Sequence, residues 1–237
     1  MRCLTLALDA LPSLRDATSS SDVDLAAAAT LAELAGVDAV RLGVSEDLKP
    51  VREEDVQEVR RAARRLELRM PPSQNLLRVA LEARPDRVVL AAQGRDGCSP
   101  AAPLEAKGRS LPVGAIVRAL AEAGIPVATL VAPEIEAVRA VHAEGVGGVE
   151  FFTGAMVDLP APERGRELER LADAVRLAAK LRLAIGLGGG LGYRTLREVL
   201  EAAPAAERVV VGRAALARAM LVGLDRALRD LRGLLGR

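Results

Sequence analysis

A glycine run and, about twenty residues later, a strand ending in Gly-Arg contain the residue types that bind phosphate. Residues 185–194 read IGLGGGLGYR, and residues 209–218 read VVVGRAALAR. Glycine lets backbone N–H groups approach an anion, and a following helix N-terminus adds positive potential. The predicted phosphate-binding residues are Gly188, Gly189, Gly190, Gly212 and Arg213. The alternative is that these glycines only close a tight loop.

Residues that could transfer protons are scarce. The single histidine, His142, lies inside a helical pattern, and we interpret it as structural. The candidate catalytic residues are the carboxylates Asp9 and Glu150, each on a predicted strand or at its end. A carboxylate inside a protein is costly unless a cation pairs with it, so each also has a structural interpretation.

For Asp9 we favour an ion pair over catalysis, with Arg15, Arg41 or Arg69 as the partner. For Glu150 the expected partner is Arg69, and strand alternation places Phe152 on the same face as Glu150.

Tyr193, beside the glycine run, and Arg218, after the Gly-Arg pair, have open roles. Tyr193 either donates to a bound phosphate or packs beside its helix, which we expect it to begin, whereas Arg218 is expected to form a salt bridge.

These residues must be positioned by short apolar strands that alternate with helical patterns. The predicted strands are 3–8, 39–44, 66–70, 87–92, 126–131, 148–152, 181–186 and 208–212. The predicted helices are 24–35, 53–65, 74–83, 113–123, 133–144, 164–180, 193–203 and 215–234. Eight strands, each followed by a helix, predict an α/β fold with parallel pairing. We expect a single (β/α)8 TIM barrel over 1–237, with an open doubly wound sheet as the alternative.

The longest irregular stretch, residues 93–112, follows the fourth predicted strand. In a barrel this stretch reaches the carboxyl-terminal mouth, where it could form a lid; a plain surface loop fits equally well.

Composition excludes several classes of function. The net charge is +1 and aromatic residues make up 1%, which argues against a nucleic-acid partner. Two cysteines and one histidine cannot build a structural zinc site, so we predict no metal and no cofactor. No apolar run approaches the ~18 residues of a membrane span, and we expect a cytoplasmic protein without membrane contact.

Five segments together resemble the pyridoxine 5′-phosphate synthase family. LALDALPSLRDA (6–17) is similar to the family's V-N-I-D-H-I-A-T-L-R, and 32–56 to its A-G-A-D-G-I-T-V-H-L-R-E-D segment. VEFFTGAMVD (149–158) is similar to E-I-H-T-G, and GGGLGYRTL (188–196) to G-H-G-L-x-Y. VVVGRAALARAMLVGL (209–224) is similar to I-G-H-A-I-x-G-R-A-x-x-x-G-L. The five segments run in family order along nearly the whole chain.

The resemblance implies a (β/α)8 barrel that assembles as a homo-octamer. Members condense 1-deoxyxylulose 5-phosphate with 3-amino-2-oxopropyl phosphate, and histidines and a glutamate relay the protons. Most of those positions differ in this chain. The family's relay histidines and glutamate fall on Ala10, Gly43, Pro50, Arg69, Phe152 and Gly189. None of these side chains can gain and lose a proton near neutral pH.

The resemblance also separates two phosphate sites. The family's first site falls on Thr18, Ser45 and Pro50, which lack its cations, whereas the second falls on Gly190, Gly212 and Arg213. Three hypotheses follow. The chain could be a diverged barrel that binds a phosphorylated small molecule or inorganic phosphate without the relay. It could be an active synthase that uses replacement residues, or a structural or regulatory barrel whose mouth is filled by side chains.

Overall fold

Eight parallel strands close into a barrel in the order β1 to β8. The computed structural model describes residues 2–94, 102–105, 113–157 and 159–236. Every strand pairs with its neighbour in sequence, and β8 pairs with β1 through Leu4↔Val209 and Thr5↔Val210. The predicted (β/α)8 barrel is therefore confirmed, and the open doubly wound sheet is wrong.

The strands agree with the sequence prediction at seven of eight places. They are β1 (Cys3–Ala7), β2 (Ala39–Gly43), β3 (Leu66–Met70), β4 (Arg87–Leu90), β5 (Val127–Val131), β6 (Gly148–Phe152), β7 (Ala184–Gly188) and β8 (Arg208–Val211). The prediction of 181–186 for β7 is wrong by three residues at its start. The preceding helix ends at Lys180, and a turn with Arg182 at φ 57° separates it from the strand.

Helices cover the outside of the barrel. Their bounds are α1 (Ala10–Thr18), α2 (Leu25–Leu34), α3 (Glu53–Ala62), α4 (Gln74–Ala83), α5 (Gly114–Glu122), α6 (Ile135–Ala143), α7 (Gly154–Val157), α8 (Ala161–Lys180), α9 (Leu196–Ala202), α10 (Arg213–Val222) and α11 (Leu224–Leu235).

The structure differs from the helix prediction in four main respects. Helices α1 and α7 are absent from the sequence prediction. In α1, Pro12 argues against a helix when only the sequence is considered. In the structure Pro12 lies in the first turn of α1, where its missing N–H is tolerated. The single helix predicted over 215–234 is two helices, because Gly223 adopts φ 83° between α10 and α11. Tyr193 precedes α9 and does not begin it.

Strand alternation divides the core into an outer and an inner part. Leu4, Leu6 and most buried apolar residues pack between the strands and the helices. The inner apolar cluster is small: Val89, Ala91, Ala128 and Leu130, with Phe152 against them. Charged side chains occupy much of the remaining barrel interior, including the buried Arg41, Glu67 and Glu150.

The predicted lid over 93–112 lies mostly outside the described residues. Of its described part, Ala102 forms a bridge with Ala92, and the Leu104 N–H donates to the Leu130 carbonyl over 2.8 Å. Leu104 is buried against β5. Among the described helices, none combines the length and the apolar character needed to cross a membrane.

Candidate functional site

A pocket of about 70 Å³ opens at the carboxyl-terminal mouth of the barrel. Its lining residues come mainly from β1, β2, β3, β6 and the loops after β7 and β8. They are Ala7, Asp9, Ala10, Arg41, Arg69, Leu130, Glu150, Phe152, Gly189, Gly190, Val210, Gly212 and Arg213. The structure thus brings together most of the residues singled out in the sequence.

The glycine run after β7 makes a turn that other residues could not make. Gly189 and Gly190 have φ of 88° and 76°, in the left-handed region that favours glycine. A Cβ on Gly189 would lie 2.6 Å from the Phe152 ring, and one on Gly190 would lie 2.6 Å from Val157 Cγ2. The Thr153 hydroxyl holds the turn by donating to the Gly188 carbonyl over 3.0 Å. The turn and its packing therefore account for these glycines by themselves.

Packing does not account for the unused hydrogen-bond donors at this mouth of the barrel. The N–H groups of Gly190, Arg213 and Ala214 form no hydrogen bond with any described residue. Arg213 is the first residue of α10, after the N-cap Gly212, and its side chain is exposed. In the described part of the chain its guanidinium has neither a hydrogen bond nor an ion pair. This edge of the pocket therefore presents free donors and one free positive charge.

Asp9 is held in an ion pair, as the favoured interpretation predicted. Arg69 Nη2 lies 2.9 Å from Asp9 Oδ2, and the Gly43 N–H donates to Asp9 Oδ1 over 2.6 Å. The other two expected partners are wrong: Arg15 binds Asp55 and Arg41 binds glutamates. A side chain at position 43 would overlap the Arg69 guanidinium, so Arg69 fills the space that Gly43 leaves.

Glu150 is paired with Arg41, and the expectation of Arg69 as its partner is wrong. Arg41 Nη1 and Nη2 lie 2.7 and 2.6 Å from the two Glu150 oxygens, which is a bidentate pair. The same guanidinium donates to Glu67 Oε2 from Nε at 3.0 Å and from Nη2 at 2.7 Å. Arg69 is two residues further along β3 than Glu67, so it lies nearer the carboxyl-terminal mouth and pairs with Asp9 rather than with Glu150.

The Arg41 pairing fixes the protonation of Glu150. Burial alone would raise the pKa of Glu150, but the adjacent Arg41 guanidinium overrides it and lowers that pKa. Likewise, burial opposes the charge of Arg41, yet Glu150 and Glu67 together raise its pKa. Glu150 is therefore an ionised, fully bonded carboxylate, which makes it a poor proton carrier at neutral pH.

Sequence reasoning missed the network around Arg41 and Glu67. Strand alternation offered a signal for this network. Arg41 and Gly43 are two residues apart on β2 and therefore share a face, as do Glu67 and Arg69 on the paired strand β3. Phe152 and Glu150 do share the inward face of β6, as predicted, since both line the pocket.

The remaining candidates lie away from the pocket. The Tyr193 hydroxyl donates to the Ala227 carbonyl over 2.7 Å, and Arg218 lies 4.9 Å from the centre of its ring. Arg218 also forms the predicted salt bridge, with Asp230 at 2.5 Å. These contacts agree with the packing interpretation of Tyr193, and its hydroxyl proton is used within the protein. His142 is exposed on α6. The described residues contain no group of three or more potential metal ligands.

Comparison with known sequences gives one consistent result. The family model described as "Pyridoxal phosphate biosynthesis protein PdxJ" matches residues 4–237. A pyridoxine 5′-phosphate synthase from Syntrophotalea carbinolica is 32% identical over 238 residues, covering 100% of this chain and 99% of the relative. The synthase from Geobacter metallireducens is 33% identical over 233 residues, covering 98% and 97%.

Solved structures agree at the level of fold. A mutant tryptophan synthase alpha-subunit from Pyrococcus furiosus has a TM-score of 0.63 at 17% identity, covering 100% of this chain and 98% of that one. Tryptophan synthase from Mycobacterium tuberculosis has a TM-score of 0.63 at 18% identity, covering 98% and 92%. At these identities the likeness establishes the barrel and says nothing about the reaction.

Proposed function

The chain belongs to the pyridoxal phosphate biosynthesis protein PdxJ family, and from that premise we propose that it is a diverged synthase-like barrel. It binds a phosphorylated small molecule or inorganic phosphate at the loops after β7 and β8. The family's acid–base relay does not operate in it. The proposal has two parts, a retained binding site and a lost reaction, and different observations support them.

The main support for phosphate binding is the Arg213 guanidinium, which has no partner among the described residues. Arginine recognises phosphate through two parallel N–H donors, and this one lies at a helix N-terminus beside two free backbone N–H groups. Other exposed arginines, such as Arg194, also have no carboxylate partner among the described residues, but Arg213 is the one of the two that lines the mouth pocket. The pocket volume of about 70 Å³ suits a phosphate group, with the rest of the ligand extending towards solvent.

The other phosphate region contains an exposed cation, Lys49, whose charge acts on Asp47. Ser45 donates to Asp47 Oδ1 over 2.6 Å, and Thr18 donates to the Leu14 carbonyl over 2.7 Å. Arg15, which lies nearby, is bidentate with Asp55 at 2.6 and 3.0 Å. The hydrogen-bonding groups of Ser45, Thr18 and Arg15 are thus used within the protein, which supports a phosphate site at β7 and β8 instead.

Close contacts between pairs of substituted positions support the loss of the acid–base relay. Phe152 occupies the space into which a side chain at position 189 would point, and Arg69 occupies that of position 43. The resemblance assigns relay residues to all four positions. Restoring one titratable group would therefore require changing its neighbour as well. Glu150, held ionised by Arg41, supplies no replacement acid.

The test of the binding part is calorimetry with inorganic phosphate and with pyridoxine 5′-phosphate. We expect wild type to bind at least one of them, and Arg213→Ala to weaken that affinity roughly 10- to 100-fold, the effect of losing a charged hydrogen-bond donor. Arg194→Ala is the matched control, because Arg194 is an exposed arginine in the neighbouring loop that does not line the pocket. Equal binding by wild type and Arg213→Ala would place the ligand elsewhere.

The lost reaction needs its own assay, so that the two parts can fail separately. Wild type is incubated with 1-deoxyxylulose 5-phosphate and 3-amino-2-oxopropyl phosphate, and product is followed by mass spectrometry. We expect no pyridoxine 5′-phosphate. Product formation would show instead an active synthase with replacement residues. Absence of both binding and product would favour a structural or regulatory barrel.

A further inference from the structure

The barrel interior below the mouth pocket contains an unbalanced set of charges. Five charged side chains point into it in the described structure: Arg41, Glu67, Arg87, Glu150 and Arg208. Arg41 binds both glutamates, and Arg208 Nη1 lies 3.2 Å from Glu67 Oε1. Three arginines against two glutamates leave one positive charge without a counter-charge. That charge belongs to the one arginine outside the network.

Arg87 is the guanidinium without a partner. It begins β4 and is only 6% exposed. Its Nε is buried with no hydrogen-bond partner, and no ion pair joins it to a carboxylate among the described residues. A Cβ on Gly148 would lie 2.6 Å from Arg87 Nη2, so the glycine on β6 makes room for the guanidinium inside the barrel.

The neighbours of Arg87 do not neutralise it. Burial lowers the pKa of Arg87, and the positive charge of Arg208 lowers it further; the negative charges of Glu67 and Glu150 oppose this shift without reversing it. Cys3 lies at the same end, with its Sγ 3.5 Å from Arg208 Nη1. Burial raises the pKa of the Cys3 thiol, so that group stays neutral and supplies no negative charge.

A buried charge without compensation is one of the most costly features a protein can contain. A water molecule could accept from Nε, but it would leave the net charge in place. A bound anion would compensate this buried charge. We propose that the amino-terminal end of the barrel interior binds a small inorganic anion of halide size, held by the Arg87 guanidinium.

The surroundings set the size of the anion and its route of entry. The side chains of Arg41, Glu67 and Arg208 crowd the interior beside Arg87, which favours a single-atom anion over a phosphate. The Arg208 side chain is 31% exposed, so the amino-terminal end of the barrel is open to solvent there. This site is separate from the mouth pocket, whose lining does not include Arg87.

The test is thermal unfolding in phosphate-free buffer at constant ionic strength, with sodium gluconate replaced stepwise by sodium chloride or bromide. A ligand that binds only the folded state at ten times its Kd raises Tm by roughly 3–5 °C for a chain of this size. We expect a saturating rise for wild type and its loss in Arg87→Met. Arg213→Met, which removes the unpaired cation at the mouth, is the control and should keep the rise.

A crystal grown in bromide gives an independent measurement that does not depend on the variant folding. We expect anomalous density within contact distance of the Arg87 guanidinium. Halide-independent Tm in wild type, or a crystal with only water at Arg87, would overturn the proposal. Loss of the halide effect in Arg213→Met but not in Arg87→Met would assign the effect to the mouth and overturn it as well. Only this last outcome concerns the mouth pocket; the others leave the proposal of phosphate binding there unaffected.

Discussion

Arg41 joins two glutamates from two other strands through one guanidinium. It is 1% exposed, and its partners Glu67 and Glu150 lie on β3 and β6. Pairs buried this deeply add little net stability over apolar side chains, but removal of one partner leaves charges stranded in a medium of low polarity. Arg41 therefore acts on the site by positioning Glu150 and holding it ionised.

Replacement of this arginine should have a cost that depends on pH. We expect Arg41→Met to lower the free energy of unfolding by about 3–5 kcal/mol at pH 7.5, because both carboxylates lose a partner. The lowered pKa of Glu150 stabilises wild type fully above the ordinary glutamate pKa of 4.5, and that stability is lost as the pH falls below it. The difference between the two proteins should thus narrow towards pH 4. Urea unfolding at pH 7.5, 5.5 and 4 measures it.

The matched control is Arg166→Met, which removes an exposed arginine from α8. Its effect should stay within about 0.5 kcal/mol at every pH. A difference between wild type and Arg41→Met that is the same at all three pH values would contradict the assignment of Glu150 as an ionised partner.

Residue-level prediction from the sequence succeeds where a short list of partners can be reasoned out. Asp9 is expected to pair with one of three arginines, and Arg69 is the one. The predicted partner of Glu150 is wrong, because the choice between Arg41 and Arg69 depends on their heights along the barrel axis. Strand stagger determines those heights, and the sequence alone does not provide it.

At the level of elements, the ends of β6 and β7 are packed as a pair. Phe152 ends β6, and its ring lies where the side chain of residue 189 would be. The backbone at Gly189 is also in the left-handed region. Two independent constraints therefore require glycine at this position, and they can be separated experimentally.

We expect Gly189→Ala to destabilise the protein more than Gly36→Ala. Gly36 has a similar φ of 94°, but a Cβ at that position would have no neighbour within 4 Å, so its substitution reports backbone strain alone, about 1–2 kcal/mol. In a Phe152→Ala background the cost of Gly189→Ala should fall to the Gly36→Ala value. The expected coupling in a double-mutant cycle of unfolding free energies is about 1–3 kcal/mol. Additive effects would show that the ring does not constrain position 189.

The element predictions fail mainly at boundaries. The predicted start of β7 is too early because Leu181 and Leu183 continue the apolar character of the strand, although Arg182 turns the chain. The sequence prediction joins α10 to α11 because both are rich in alanine, leucine and arginine, and the single Gly223 between them resembles a tolerated helix glycine. Local composition is continuous across these breaks, so only the backbone dihedral angles reveal them.

At the level of the whole molecule, the barrel exposes apolar side chains at the end of α10. Met220 and Leu221 are 82% and 84% exposed, and Val222 is 42% exposed. Adjacent exposed apolar residues of this size are typical of an interface. The family resemblance predicts a homo-octamer, and we propose that this end of α10 is buried between copies.

The double variant Met220→Glu/Leu221→Glu should then sediment as a smaller species than wild type in analytical ultracentrifugation, because buried like charges oppose association. Leu81→Glu is the control, since Leu81 is a partly exposed leucine on α4. The role of α10 in assembly would be contradicted if the double variant sedimented with the same mass as wild type. It would also be contradicted if Leu81→Glu lost mass to the same extent as the double variant.

The fold as a whole is the most predictable level. Alternation of eight apolar strands with helices determines parallel pairing, and closure leaves no exposed edge. That argument needs only the order and count of elements, which tolerate boundary errors of a few residues. The pairing of charges in the interior is not predictable in the same way, because it depends on the stagger between strands.

Closure of the barrel between β1 and β8 has a consequence for synthesis. Cys3 pairs with Arg208, so the seam joins residues about two hundred positions apart. While the nascent chain is still emerging from the ribosome, β1 and β7 each present an unpaired strand edge. Those edges stay open to wrong partners until the last strand has left the exit tunnel. Chaperone demand should therefore peak late in translation, and it should end when β8 inserts.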